Sequence, residues 1–147
     1  MSRMVFSLLV LVLFQGSAPA VSPPATPIGL WQTVSDKTGE VTSLVRIYEE
    51  SGRLFGRVER VLVTEGVPET CTKCKDERTG QKLVGLLIMR NMKKDGDYYR
   101  GGDVLDPENG KVYHGWIKLD STGTRLTMRG YVDISLFGRS QTWRRVE

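Results

Sequence analysis

Two cysteines, a single histidine and a set of polar residues in the C-terminal third are where any chemistry in this chain must reside. Cys71-Thr-Lys-Cys74 is a Cys-x-x-Cys pair with three open readings. In an oxidising compartment such a pair defaults to a disulfide. Closing so small a loop limits its entropic contribution to about 2 kcal/mol. A thiol-redox role needs the motif at a helix start beside a βαβ unit, and none is legible. Zinc needs about four ligands, and two cysteines with His114 leave the set incomplete. His114 reads as a strand-face histidine. No serine or cysteine stands in a nucleophile motif such as Gly-x-Ser-x-Gly. No catalytic residue is therefore assigned, and no cofactor or metal is expected.

The polar residues are Tyr99, Asp103, Tyr113, Arg129, Arg139, Gln141 and Trp143. Arg139, Gln141 and Trp143 alternate along one extended run, so they share a face. If Trp143 points inward they follow it, and the other four are candidates to join them. A few polar groups set among apolar walls make a small-molecule site. Val45, Ile47, Leu54, Val58, Leu126 and Met128 would form the apolar wall, with Gly56, Gly101, Gly102 and Gly130 leaving room. The matching ligand is a small amphipathic molecule whose anionic or carbonyl head faces Arg139 through a charge-assisted hydrogen bond. The alternative is an internal network, for example Asp103 with Arg139, that only fixes the fold.

The elements that must position these residues are strands. Tyr98–Leu105 and Lys111–Leu119 flank Asp106-Pro107-Glu108-Asn109-Gly110, where proline presets one turn corner and Asn-Gly tolerates positive φ. That is a β-hairpin, and the same unit recurs on both sides of it. Gly29–Val34, Val41–Glu50 and Arg53–Val63 precede it. The last two alternate apolar and polar residues, with Leu54, Gly56, Val58 and Leu62 on one face of the third. Thr64–Lys82 breaks the rhythm and reads as one long loop, with a helical turn expected near Cys71. Loops of this length in a compact domain are often functional. Leu83–Asn91 reads as a strand covered on both faces. Arg125–Asp133, carrying Leu126, Met128, Gly130 and Val132 on one side, and Gly138–Val146 complete the set.

Residues 1–20 stand apart from this pattern. Arg3 precedes the apolar run Met4–Phe14, which is too short for a bilayer span of about 20 residues. Ala18-Pro19-Ala20 supplies the small residues of a signal-peptidase site, so cleavage is expected after Ala20. Export to the periplasm or the exterior follows, with no integral membrane span after cleavage. Residues 21–28 read as a flexible, proline-rich linker, leaving 29–147 as one domain large enough to bury its own core. Loss of Arg3 lowers the formal charge of +4 by one. The remaining charge is dispersed, which gives no sign of a nucleic-acid tail.

Eight meandering antiparallel strands close naturally into an all-β up-and-down barrel without exposed edges. Gly29-x-Trp31 on the first strand and Arg145 on the last resemble the lipocalin-like barrels, in which such a tryptophan packs beneath such an arginine and closes one end. The wider series Cys71-Thr-Lys-Cys74-Lys75, Gly101-Gly102, Leu105-Asp106-Pro107, Gly110-Lys111-Val112-Tyr113, Arg129-Gly130-Tyr131 and Leu136-Phe137-Gly138-Arg139-Ser-Gln141-Thr-Trp143 resembles the exported bacterial family known as domain of unknown function 2147. The resemblance covers about Gly29–Val146. It implies a lipocalin-like fold and an envelope location, and brings no catalytic residues. Three functional classes follow: a ligand-binding barrel, a filled barrel with a structural or partner-binding role, and a thiol-redox protein.

Overall fold

The computed structural model describes Gly16 and residues 26–134 and 136–147. The expected leader, apart from Gly16, and residues 21–25 of the expected linker lie outside the described residues. The chain forms β1 (Gly29–Val34), β2 (Val41–Glu50), β3 (Arg53–Val61), β4 (Leu87–Asp95), β5 (Tyr98–Asp106), β6 (Lys111–Leu119), β7 (Arg125–Tyr131) and β8 (Gly138–Arg145). Each strand pairs antiparallel with its sequence neighbour, and β8 returns to β1 to close the barrel. The closing register sets Trp31 opposite Arg145 and Gln32 opposite Arg144.

Alternation along the strands sends Trp31, Val45, Ile47, Leu54, Ile117 and Leu126 into the core, all almost wholly buried. They gather at the end where the chain ends and where β2–β3, β4–β5 and β6–β7 turn. Trp31 is fastened there from three directions. Its indole Nε1 donates to the Pro27 carbonyl at 2.8 Å. The Arg145 guanidinium lies 4.3 Å from its ring centroid. That guanidinium donates in turn to the carbonyls of Gly123, Ile28 and Thr26 at 2.6, 2.8 and 2.6 Å. Thr26–Ile28, expected to be loose linker, are thus part of the closed end.

Several boundaries differ from expectation. β4 begins at Leu87 rather than Leu83 and runs to Asp95. Gly85, at φ +91, bends the chain ahead of it, while the Gly85 amide donates to Val58 and the Leu86 carbonyl accepts from the Val58 amide. The long loop therefore spans 62–86. It holds no helix at Cys71; its turn lies at 77–80. Leu62 and Val132 lie past the strand ends, 42% and 54% exposed, instead of facing the core. Gly102 supplies contact rather than room: a Cβ there would collide with the Arg90 carbonyl, so glycine lets β4 and β5 approach.

The long loop is built in, not draped over. Cys71 and Cys74 form a disulfide with Cα atoms 5.5 Å apart, and both join the core cluster with Leu86. Arg78, 2% exposed, donates to Asp76 and to the Leu87 carbonyl at 2.9 Å. Arg90 bridges the loop to β5 through Glu77 at 2.6 Å and Asp103 at 2.9 Å. The Arg78 hydrogen bonds hold the Asp76 carboxyl at about 2, below its usual value, against the opposing effect of burial. A depressed carboxyl stabilises the fold above its unfolded pKa near 4 and loses that contribution as pH falls towards 2. Acid titration from pH 5 to 2 should therefore remove about 1–2 kcal/mol through this pair, a value reduced for partial exposure. The Asp76→Asn variant should lack that portion of the acid transition. An unchanged acid transition would show that the pair contributes nothing.

Candidate functional site

The opposite end of the barrel is open, and there the interior holds a cavity of about 300 Å³. Val58, Ile88, Val104, Leu105 and Met128 give it apolar walls, and Trp143 and Gln141 close it on the β8 side. Trp143 is only 3% exposed. Its indole Nε1 donates to the Gln141 Oε1 at 3.0 Å. Because an indole is a donor only, this bond fixes the acceptor side of the amide. Gln141 lines the cavity, and its NH2 group takes no part in this bond. On the neighbouring strands β1 and β2, Thr33 and Ser43 share a hydroxyl–hydroxyl bond of 2.6 Å. Tyr113 lines the wall as well, and its hydroxyl accepts from Asn109 Nδ2 at 3.1 Å.

Arg139 stands at the mouth between two carboxylates. It meets Asp36 on the β1–β2 turn at 2.9 Å and Asp106 at the end of β5 at 2.6 Å. Burial works against its charge, but the hydrogen bond to Asp106 and the nearby carboxylates raise its pKa overall. The Asp106 carboxylate also accepts from the Glu108 amide and from Asn109 Nδ2, both at 2.9 Å. One clasp thus ties three mouth segments together. Arg139 is already paired with two carboxylates, which leaves this clasp at a formal net charge of −1 and disfavours an anionic head beside it. The Asp103–Arg139 pair does not exist; Asp103 is bound by Arg90 through contacts of 2.9–3.2 Å.

Of the seven sequence candidates, the fold brings Tyr113, Arg139, Gln141 and Trp143 together at this cavity. The other three lie elsewhere. Tyr99 pairs with Ile117 and packs on the core, where burial raises its pKa. Asp103 faces outward because the register shifts at Gly101, whose φ is +80. Arg129 is outward too, donating to Ser140 Oγ at 3.0 Å and to the Leu136 carbonyl at 3.3 Å. Of the proposed apolar wall, Val58 and Met128 line the cavity; Val45, Ile47, Leu54 and Leu126 fill the core. Gly130 alone of the four glycines borders the cavity.

Asp36, Asp106, Thr33 and Ser43 escaped the sequence reading. Asp106 was legible only as a turn residue. Its Oδ1 caps the Glu108 amide while Oδ2 accepts from both Asn109 and Arg139, and nothing local indicates the arginine. Among the described residues no group of three or more His, Cys, Asp or Glu could hold a metal ion. No described helix is long and apolar enough to cross a membrane.

Comparison with known proteins agrees with this architecture. A family of uncharacterised proteins conserved in bacteria, domain of unknown function 2147, matches residues 29–145. A solved structure, protein HP1028 from the human pathogen Helicobacter pylori, described as belonging to the lipocalin family, superposes with a TM-score of 0.70. Identity is 19%, over 82% of each chain. At that identity the likeness concerns the fold. No curated protein matches the chain.

Proposed function

The chain belongs to domain of unknown function 2147 and folds as a lipocalin-like barrel, and on that basis we propose that it is an exported, non-catalytic protein that binds a small, uncharged, partly apolar molecule in its mouth-side cavity. The observation that carries this reading is the cavity beside Gln141 and Trp143. A filled barrel needs no such space, and a buried apolar wall with one amide among its lining groups suits a carbonyl or hydroxyl on an otherwise apolar body. The Arg139 clasp, one guanidinium between two carboxylates, argues against an anionic ligand, and the amide of Gln141 suits a neutral polar group. A thiol-redox role fits less well, since Cys71 and Cys74 are 1% and 4% exposed and bonded to each other.

Native mass spectrometry of protein taken from its own envelope tests the reading directly. Wild type should carry a small neutral molecule. The Gln141→Leu variant, which keeps the volume and removes the donor, should retain it at least tenfold more weakly, about 1.4 kcal/mol. It should also lose about 1–3 kcal/mol of stability, because the buried Trp143 indole N–H loses its acceptor, so retention is compared under conditions where both proteins are folded. Wild type that never carries a ligand would leave the structural reading in its place.

A further inference from the structure

A second hollow, about 410 Å³, opens between the long loop and the β1–β2 turn. Its floor is Val61, Val63, Val67, Pro68 and Leu83. It shares Thr42, Ser43, Val58, Pro107 and Glu108 with the inner cavity, so the two are neighbouring chambers with common walls. At its rim Lys37 pairs with Glu108 at 3.8 Å, and Lys73 Nζ donates to the Glu108 carbonyl at 3.0 Å. With Glu40 present as well, the rim carries two cations and two carboxylates.

We infer that the outer chamber is the chain-binding half of one elongated site, and that the ligand is a neutral amphiphile whose polar end lies at Gln141 and whose hydrocarbon chain runs out beneath the long loop. This rests on the reading of the inner cavity given above. Three observations lead to it. The inner chamber is lined by the Gln141 amide, whereas the outer floor is valine, leucine and proline. The balanced rim attracts neither a carboxylate nor an ammonium. The loop over the groove is fixed beforehand by the disulfide, Arg78 and Lys73, so a chain entering it meets a surface that is already ordered.

A homologous series of straight-chain 1-alkanols, six to twelve carbons, tests this by calorimetric titration and intrinsic tryptophan fluorescence. Affinity should rise about fourfold for each added methylene that finds apolar wall. Val67→Trp fills the groove at a position already 38% exposed in the wild type, and Val63→Asp places a charge on its floor. Either variant should bind the shortest alkanols as wild type does and lose tenfold or more for the longest. Dodecanoate and dodecylamine should bind wild type more weakly than dodecanol. Unchanged chain-length dependence in both variants overturns the outer chamber, and preferential binding of either ion overturns the neutral class. In both cases weaker short-alkanol binding by Gln141→Leu leaves the inner-cavity reading standing. Failure of wild type to bind any alkanol removes both.

Discussion

Replacing Trp31 with alanine should lower stability by about 3–5 kcal/mol, the range for deleting a fully buried aromatic side chain. The ring has no exposed surface. It also organises its surroundings: its indole holds Pro27, and Arg145 stacks on it while binding three carbonyls. Burial lowers the pKa of that arginine, so the indole face and the carbonyls are what stabilise its charge. Trp31→Phe keeps much of the apolar area and loses the hydrogen bond and part of the cation–π contact. It should cost about 1–2 kcal/mol. Urea unfolding of the two variants measures both values. A loss under about 1 kcal/mol for Trp31→Ala would show that this stack does not close the barrel.

Gly110→Ala should have the second large effect, about 2–5 kcal/mol. Gly110 lies at φ +73, a region that costs an L-residue about 1–2 kcal/mol. A Cβ there would also strike the Lys73 carbonyl, with the Cys74 amide nitrogen 3.0 Å away. That backbone cannot withdraw easily, since Cys74 is disulfide-bonded and Lys73 grips Glu108. The overlap adds about 1–3 kcal/mol. Gly52→Ala is the internal comparison. It has a similar φ, +74, but nothing within 4 Å of the new methyl, so only the backbone strain applies. Chemical denaturation should rank Gly110→Ala well below Gly52→Ala. Equal midpoints would mean that the loop does not rest on the β5–β6 hairpin. Because Lys73 lines the outer chamber, Gly110→Ala should also weaken retention of a chain seated there.

The barrel was legible in the sequence because its determinants are local. Period-two alternation assigns each strand a wet and a dry face, and Asp-Pro-x-Asn-Gly or Ser-Gly turns return the chain without reference to anything distant. Once eight such strands meander, closure removes the two edges, and Trp31 and Arg145 must meet because they lie on the strands that close it. The same alternation already placed Tyr113, Gln141 and Trp143 on inward faces. It also placed Arg129 beside inward Met128 and hence outward, a signal that was present and went unused.

What alternation cannot foresee is where it slips. The extra residue at Gly101 reverses the parity of β5, so Tyr99 faces in and Asp103 faces out to Arg90, although they stand an even number apart. Partner choice among charges is equally non-local. Arg139 finds Asp36 and Asp106, more than thirty residues away in the case of Asp106, because three turns converge on the barrel mouth. Those positions depend on the closed sheet and not on any segment. The long loop is the clearest case. Its sequence marks it as irregular and disulfide-capable, but only the assembled core offers Cys71, Cys74 and Leu86 a place to bury and Arg78 a carbonyl to bind. That docking, decided by packing between distant segments, converts an irregular stretch into the wall of a second chamber.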